Sequence, residues 1–321
     1  MDFKDFYAKN DDDGRRLDRI LKVLMPHSNL SEMYKAIRKG LIKINDKKCK
    51  SDSRVSLNDK ISIAEFLLQS EKNTQDKSIK TENKLPPLPP VVFENENILI
   101  LNKPYDMTVH GQNDSLDKIV LNYYEKNHKN DSLSFKPGPV HRIDKKTSGL
   151  VVFSMSLEGA QWFSENIRIH SIKKNYFALL QGKLTGDCTF EDYITNLEEE
   201  KNGFYKVESG NHIINKDSKA AVSHVKVLAH GKFKNQDVTF VKINIETGRK
   251  HQIRSQTAFH HHPLLGDTAY GGKRIENCKQ DFFLQAAELI IPENPLGLPP
   301  KIQIDLSDNF KEFLTYCSIK N

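Results

Sequence analysis

The sequence predicts a chain of mixed α and β structure in two folded parts, and three observations carry that prediction. Helical spacings and strand-like runs both recur along the 321 residues. Gln69 to Lys84 contains a single apolar residue, Ile79, and no aromatic. The run Leu85-Pro86-Pro87-Leu88-Pro89-Pro90 follows it directly. So polar a segment cannot bury enough surface to offset its ordering entropy. Proline fixes φ and restricts the residue before it. Residues 66–90 are therefore expected to be a linker, flexible first and stiffer at its end. It would join a small part at 1–65 to a larger one at 91–321, and the length suffices for both cores.

Mean hydropathy of −0.59 and 28% charged residues suit a soluble protein of the cytoplasm. No run approaches the roughly 18 apolar residues of a membrane helix. Met1-Asp2-Phe3-Lys4-Asp5 lacks the basic-then-apolar layout of a signal peptide. Cys49, Cys188, Cys278 and Cys317 lie far apart with no C-x-x-C pair, so neither a zinc site nor a disulfide framework is indicated. Net charge is +6, but Gly14 to Ala64 alone holds 13 Lys and Arg against 5 Asp and Glu. That short stretch is +8 and the remainder −2, which points to a polyanion-binding module.

Residues 1–13 are polar, end in Asp11-Asp12-Asp13, and are expected to be a frayed tail. Leu17, Ile20, Leu21 and Leu24 then form one face of a helix that stops at Pro26. Asn29 with Glu32 has the layout of a capping box for a second helix through Lys39, and Gly40 is placed to end it. Ile42 and Ile44 alternate with polar residues, Asp46-Lys47 turns the chain, and Ile61 and Ile63 alternate again. This helix-helix-strand layout, with Arg38-Lys39-Gly40 at the second helix end, resembles the S4 RNA-binding domain. The basic residues it would set against phosphates are Arg15, Arg16, Lys35, Arg38 and Lys39, although any one alone is an ordinary surface charge.

The larger part opens with Val91-Val92-Phe93 and the buried-looking strand Ile98-Leu99-Ile100-Leu101, followed by Asn102-Lys103-Pro104 and His110-Gly111. The stretch that the rest serves is His141 to Leu150. One carboxylate, Asp144, sits there among Arg142, Lys145 and Lys146, before Thr147, Ser148, Gly149 and the run Leu150-Val151-Val152-Phe153. The run reads as a buried strand, so the polar loop delivers Asp144 at the mouth of a sheet. Nearby cations favour a charged carboxylate, which suits a nucleophile or base better than a general acid. Taken alone, the string reads more readily as a salt-bridged loop beside a Ser/Gly turn.

Ala160, Phe163 and Ile167 keep helical spacing, and Lys174 to Gly182 reads as a strand containing Tyr176. Residues 183–220, rich in Glu, Lys and Asn, are expected to be surface excursions. Strands over Val222–Ala229 and Val238–Glu246 lead into Thr247-Gly248-Arg249-Lys250-His251-Gln252-Ile253-Arg254. His260, His261 and His262 are adjacent, yet consecutive side chains diverge and no carboxylate or cysteine stands at ligand spacing. No metal is expected. Ile302, Ile304 and Leu306 alternate as a strand, and Phe310, Phe313, Leu314 and Cys317 close the chain as an amphipathic helix.

His141-Arg142-Ile143-Asp144-Lys145-Lys146-Thr147-Ser148-Gly149-Leu150 resembles the H-R-L-D-x-x-T-S-G-L signature of the RluA family of RNA pseudouridine synthases, with Ile143 for Leu. Asn102-Lys103-Pro104 with His110-Gly111 resembles the first motif of that family. Lys174 to Gly182 fits K-x-Y-x-A-x-V-x-G with Leu180 for Val. Thr247 to Arg254 fits T-G-R-x-H-Q-I-R, although Ser255-Gln256 replaces the apolar-His pair that usually follows. From His262 to Gly272 the chain fits H-P-L-L-G-D-x-x-Y-G-G, read as a loop and turn. With the S4-like module in front, the order most resembles the ribosomal large-subunit members of the RluC type.

The resemblance implies an α+β fold: a mixed, largely antiparallel central sheet with flanking helices, behind a small S4-like α/β domain. It makes Asp144 the catalytic aspartate and gives Arg142 a part in flipping the uridine from the RNA. Tyr176 would stack on the flipped base, and Ile253 would form its apolar floor. Arg254 is assigned as the partner of Asp144, and Arg249 to phosphate, though the two are interchangeable on sequence alone. Lys103 and His110 complete the expected substrate contacts. The implied reaction detaches uracil from C1′, rotates it and rejoins it through C5. Its bonds balance without cofactor, metal or energy source, and Asp144 could attack C1′, attack the base or take a sugar proton. The implied partner is RNA, foremost large-subunit ribosomal RNA, met by a monomer. Two other classes remain. One is a non-catalytic S4-type factor for rRNA binding or ribosome assembly. The other is a hydrolase, which lacks a second carboxylate at recognisable spacing.

Overall fold

The structure is a computed structural model that describes residues 1–68, 85–127, 132–196, 207–213 and 215–319. The expected flexible stretch 69–84 lies outside the described residues. The N-terminal part comprises β1 (Phe3–Tyr7), α1 (Leu17–Leu24), α2 (Leu30–Arg38), β2 (Ile42–Ile44), β3 (Lys47–Lys48) and β4 (Lys60–Ala64). Its strands run in the order β1-β4-β2-β3. Leu17, Ile20 and Leu21 of α1 meet Met33 and Ile37 of α2 and Ile42, Ile61 and Ile63 of the sheet in one core. The capping box forms in full. Asn29 Oδ1 accepts from the Glu32 backbone N–H at 2.9 Å, and Glu32 Oε2 accepts from the Asn29 N–H at 3.2 Å. The β2–β3 turn lies at Asn45-Asp46, both at positive φ, and not at Asp46-Lys47. A two-residue hairpin needs positive φ at its centre, which Asn and Asp tolerate and lysine does not favour.

The expected frayed tail is corrected. Phe3 to Tyr7 pair with Ala64 to Lys60 as an antiparallel edge, and Asp12 is fully buried. Its carboxylate accepts from the Lys9 N–H, from the Ser132 and Ser134 hydroxyls, and from the Leu133 and Ser134 N–H groups, at 2.7–3.1 Å. Asp11 accepts from the Leu157 N–H at 2.8 Å. A carboxylate supplied with enough donors needs no water. The acidic run therefore seats the N-terminal part on the larger one, where composition alone suggests a solvated end.

The larger part contains β5 (Val91–Glu94), β6 (Ile98–Lys103), α3 (Leu116–Asn127), β7 (Gly138–Pro139), β8 (Ser148–Ser154), α4 (Leu157–Arg168), β9 (Lys173–Gln181) and β10 (Cys188–Asn196). It continues through β11 (Val207–Gly210), β12 (Lys219–Phe233), β13 (Gln236–Ile245), α5 (Gln252–Phe259), β14 (Leu284–Ile290), β15 (Lys301–Gln303) and α6 (Asp308–Tyr316). The strands form one sheet in the order β11-β10-β12-β13-β9-β14-β8-β6-β5, with β15 beside β14 and β7 beside β8. The β8–β14 pair is parallel and the other pairings among the described residues are antiparallel. The sheet is thus mixed and largely antiparallel, as the resemblance implied. The surface excursions expected over 183–220 are partly corrected, because β10, β11 and the start of β12 occupy that stretch. Phe190 and Ile194 turn inward there with Asp192 buried between them, so a polar residue at an inward position breaks the apolar alternation that marks a strand.

The centre of the sheet is buried on both faces. Leu99, Leu101, Val151 and Phe153 join one core, and Ile98, Ile100, Leu150 and Val152 join another with Phe163 of α4. Strands covered on both sides read as continuous apolar runs, which is how β6 and β8 stand in the sequence. At the head of β8, Gly149 has φ +115, and a Cβ there would lie 2.1 Å from the Ala286 carbonyl oxygen. Only glycine permits that approach. It allows β8 and β14 to pair in parallel directly after the loop that carries Asp144.

Candidate active site

Asp144 stands just before β8, at the mouth of the sheet as expected, with its side chain 21% exposed. The cations beside it in sequence turn elsewhere. Lys145 pairs with Asp106 at 3.5 Å, Lys146 pairs with Asp281, and Arg142 Nη1 lies 3.3 Å from His110 Nε2. The groups facing the carboxylate come from the start of α5. Arg254 Nη1 is 3.8 Å from one oxygen and His251 Nε2 is 3.9 Å from the other. The ring of neighbouring cations is therefore replaced by long-range partners.

Arg254 is fixed on its far side. Its Nε and Nη2 donate to Asp267 at 2.6 and 2.9 Å, and its guanidinium carbon lies 4.8 Å from the ring centres of both Tyr270 and Phe282. His251 has φ +52 where α5 begins, and its Nδ1 is 2.8 Å from the Tyr270 hydroxyl. Burial pushes its proton affinity below the usual imidazole range, against Asp144 and with the repulsion of Arg254 and Lys250. Sequence reasoning singles out neither His251 nor Asp267 nor Tyr270. All three stand at specified positions of the family motifs, but the segment holding Asp267 and Tyr270 reads on sequence only as a loop and turn.

Arg142, Asp144, Tyr176, Arg249, Ile253 and Arg254 line one cavity of about 130 Å³. Tyr176, on β9 opposite Ile243 and Ala286, is 6% exposed. Burial, and after it the charge of Asp144, raises its proton affinity far above the ordinary phenol range, so it stays a neutral ring with an O–H to donate. Ile253 is buried in the adjoining core. Arg249 is exposed, with its Nε donating to the Ala220 carbonyl at 3.0 Å. Of the two arginines, Arg254 is the one that faces Asp144.

Lys103, expected to touch substrate, is corrected. It is fully buried and donates to the carbonyls of Pro104, Met107 and Lys145 at 2.9, 2.7 and 3.1 Å. It fastens the end of β6 to the loop carrying Asp144. Burial lowers its pKa to about 7, against the pull of Asp144 and Asp106. His110 is exposed and meets the site through Arg142. The departure at Ser255-Gln256 is absorbed locally. Gln256 accepts from the Ser223 hydroxyl and donates to Phe190, Asp192 and Ala221. Among the adjacent histidines, His260 stacks on Phe190 and meets Asp192, while His262 meets the Gln181 carbonyl.

A sequence model of the RNA pseudouridylate synthase family matches residues 97–259, half the chain. The chain belongs to that family. A model of the S4 domain matches residues 15–61. Ribosomal large subunit pseudouridine synthase C of Buchnera aphidicola is 29% identical over 276 residues, covering 84% of this chain and 81% of that one. Ribosomal large subunit pseudouridine synthase D of Escherichia coli is 28% identical over 260 residues, covering 81% and 74%. The fold is shared with human RNA pseudouridylate synthase domain containing 4, at a TM-score of 0.58 and 20% identity, over 72% of this chain and 94% of that one. The synthase is thus an isomerase of uridine in RNA, with an S4 domain ahead of its catalytic part.

In the S4 domain, Lys35, Arg38 and Lys39 are exposed at the end of α2. Arg16 is held by Asp18 at 2.7 Å, and Arg15 is half-buried. Among the described residues, no helix is long and apolar enough to cross a membrane.

Proposed function

We propose that the synthase converts uridines of large-subunit ribosomal RNA to pseudouridine, with Asp144 as the reacting carboxylate. The observation that carries this reading is the facing of Asp144 by Arg254 and Tyr176 in one small cavity. A fixed positive charge across from the carboxylate orients it before substrate arrives, so little reorganisation is left for the reaction itself. Tyr176 and Ile253 offer the flipped base a ring to stack on and an apolar floor. Arg142, on the rim beside His110, is suited to filling the space that the base leaves.

The reaction breaks the N1–C1′ bond and forms C5–C1′. The C5 proton leaves and N1 ends protonated, so substrate and product have the same atoms. Attack at C1′, attack on the base and removal of a sugar proton all begin from this one carboxylate. Asp144, Tyr176 and Arg254 belong to the same chain, so a monomer suffices. The exposed basic end of α2 would hold the surrounding RNA by its phosphates. Ribosomal RNA as target rests on the naming of the two bacterial relatives and on the S4 domain. Unmodified large-subunit RNA incubated with the synthase should gain pseudouridine at discrete positions when mapped by carbodiimide-dependent primer-extension stops. No new stop in that RNA, with turnover on another RNA, would redirect the substrate assignment.

A further inference from the structure

Beside the Asp144 cavity lies a groove of about 450 Å³ that shares Arg142, Tyr176, Ile245, Gly248 and Arg249 with it. Its other walls include His141, Arg168, His170 and Lys174. The cations of the rim already have partners. Arg142 meets His110, Arg249 meets a carbonyl and Arg168 meets Glu165, while Glu246, the carboxylate in the lining, meets His224 at 2.7 Å.

Lys174 differs. It is 7% exposed, and among the described residues no carboxylate pairs with it. Its Nζ lies 3.8 Å from where a Cβ on Gly248 would stand, at the boundary of cavity and groove. Burial lowers its proton affinity, the expected response of a cation removed from water without a counter-charge. His141 adds an independent sign. Its Nε2 accepts the Val152 N–H at 3.1 Å, so the neutral ring carries its proton on Nδ1. That Nδ1 is buried and has no acceptor. An unpaired buried donor and a largely buried lysine without a carboxylate partner, on one wall, call for an acceptor with negative charge.

We propose that this groove is a phosphate subsite in which Lys174 holds a backbone phosphate next to the flipped nucleotide of the substrate RNA. The inference rests on the RNA isomerase reading above. A strand whose base enters the Asp144 cavity must continue over the shared rim, and a basic groove that tracks the backbone is how single strands are held. Lys174 is here a positioning residue, which acts on where the nucleotide lies and not on the reacting bonds.

The test uses full-length synthase and a short target RNA in which single linkages flanking the uridine carry a neutral methylphosphonate. One linkage should lower wild-type affinity about tenfold, the scale of one charge-assisted contact. Lys174→Gln should bind the unmodified RNA about tenfold more weakly and lose nothing further at that linkage, while Lys174→Arg restores the sensitivity. Thermal melting confirms that each variant folds, and Arg168→Gln, exposed on the rim, should show a smaller loss at the same or next linkage. Equal sensitivity of wild type and Lys174→Gln at every linkage would overturn the subsite, as would a kcat loss with affinity unchanged. A wild type that shows the linkage effect but forms no pseudouridine leaves the subsite standing and overturns the isomerase reading instead.

Discussion

Asp267 grips two nitrogens of Arg254, at 2.6 and 2.9 Å, and leaves the third facing Asp144 at 3.8 Å. Asp267 is 2% exposed, so this is a buried pair whose geometry sets the neighbour of Asp144. Removing one member of such a pair strands the other charge, at about 3–5 kcal/mol. Asp267→Ala should therefore lower unfolding free energy on that scale in urea titrations and lower turnover with it. Arg254→Ala should reduce kcat far more than Arg249→Ala. Arg254→Lys should not rescue it, because an ammonium cannot make the two-point contact. A greater loss from Arg249→Ala would exchange the roles of the two arginines.

Lys103 makes the site's scaffold pH-dependent. Unfolded, the lysine holds its proton up to the usual 10.5, but folded only up to about 7. Between those values the unfolded chain binds more protons, so the Lys103 contribution to stability rises with pH across that window. Below it both states are protonated and the cost of burying the charge is felt in full. The difference in unfolding free energy between wild type and Lys103→Met should move in favour of wild type as pH rises from about 7 to about 10. A difference that stays flat, or falls, would contradict the burial argument.

What the sequence discloses follows local pattern. Leu17, Ile20 and Leu21 announce α1 by spacing, Asn29 with Glu32 announces the start of α2, and Ile98 to Leu101 announces a strand covered on both faces. What it hides depends on distant partners. Phe3–Tyr7 is a strand because β4 lies beside it, and Asp12 is buried because Ser132 to Ser134 supply its donors. Leu284–Ile290 contains Gln285, Ala286, Ala287 and Glu288, which favour strands weakly, yet it forms β14 beside the Asp144 loop. In the site, Asp144 is legible because its loop motif is contiguous. Its facing by His251, and the hold of Asp267 on Arg254, require segments more than a hundred residues downstream to be folded back. Lys103 is placed among the substrate contacts on sequence because a motif lysine looks alike whether it meets substrate or backbone carbonyls.

The exposed cations at the end of α2 should supply salt-sensitive RNA affinity. Replacing Lys35, Arg38 and Lys39 together by Gln leaves the S4 core untouched, since all three are exposed. Binding to long ribosomal RNA should weaken, and the slope of log affinity against log salt should become shallower by about 0.7–0.9 for each phosphate no longer neutralised. Single-turnover rates at saturating RNA should stay near wild type. An unchanged salt slope would assign this surface to stability or to contact with another protein.

The most direct measurement is pseudouridine formation by Asp144→Asn. The substitution keeps the side chain's size and its distance from Arg254 while removing the charge that can act as nucleophile or base. Turnover should fall below detection in a tritium-release assay on uridine labelled at C5. RNA affinity should stay within about a few-fold, because phosphates and shape carry most of the binding. Turnover near wild type in the Asn variant, with its fold and RNA binding intact, would contradict the assignment of Asp144 as the reacting group.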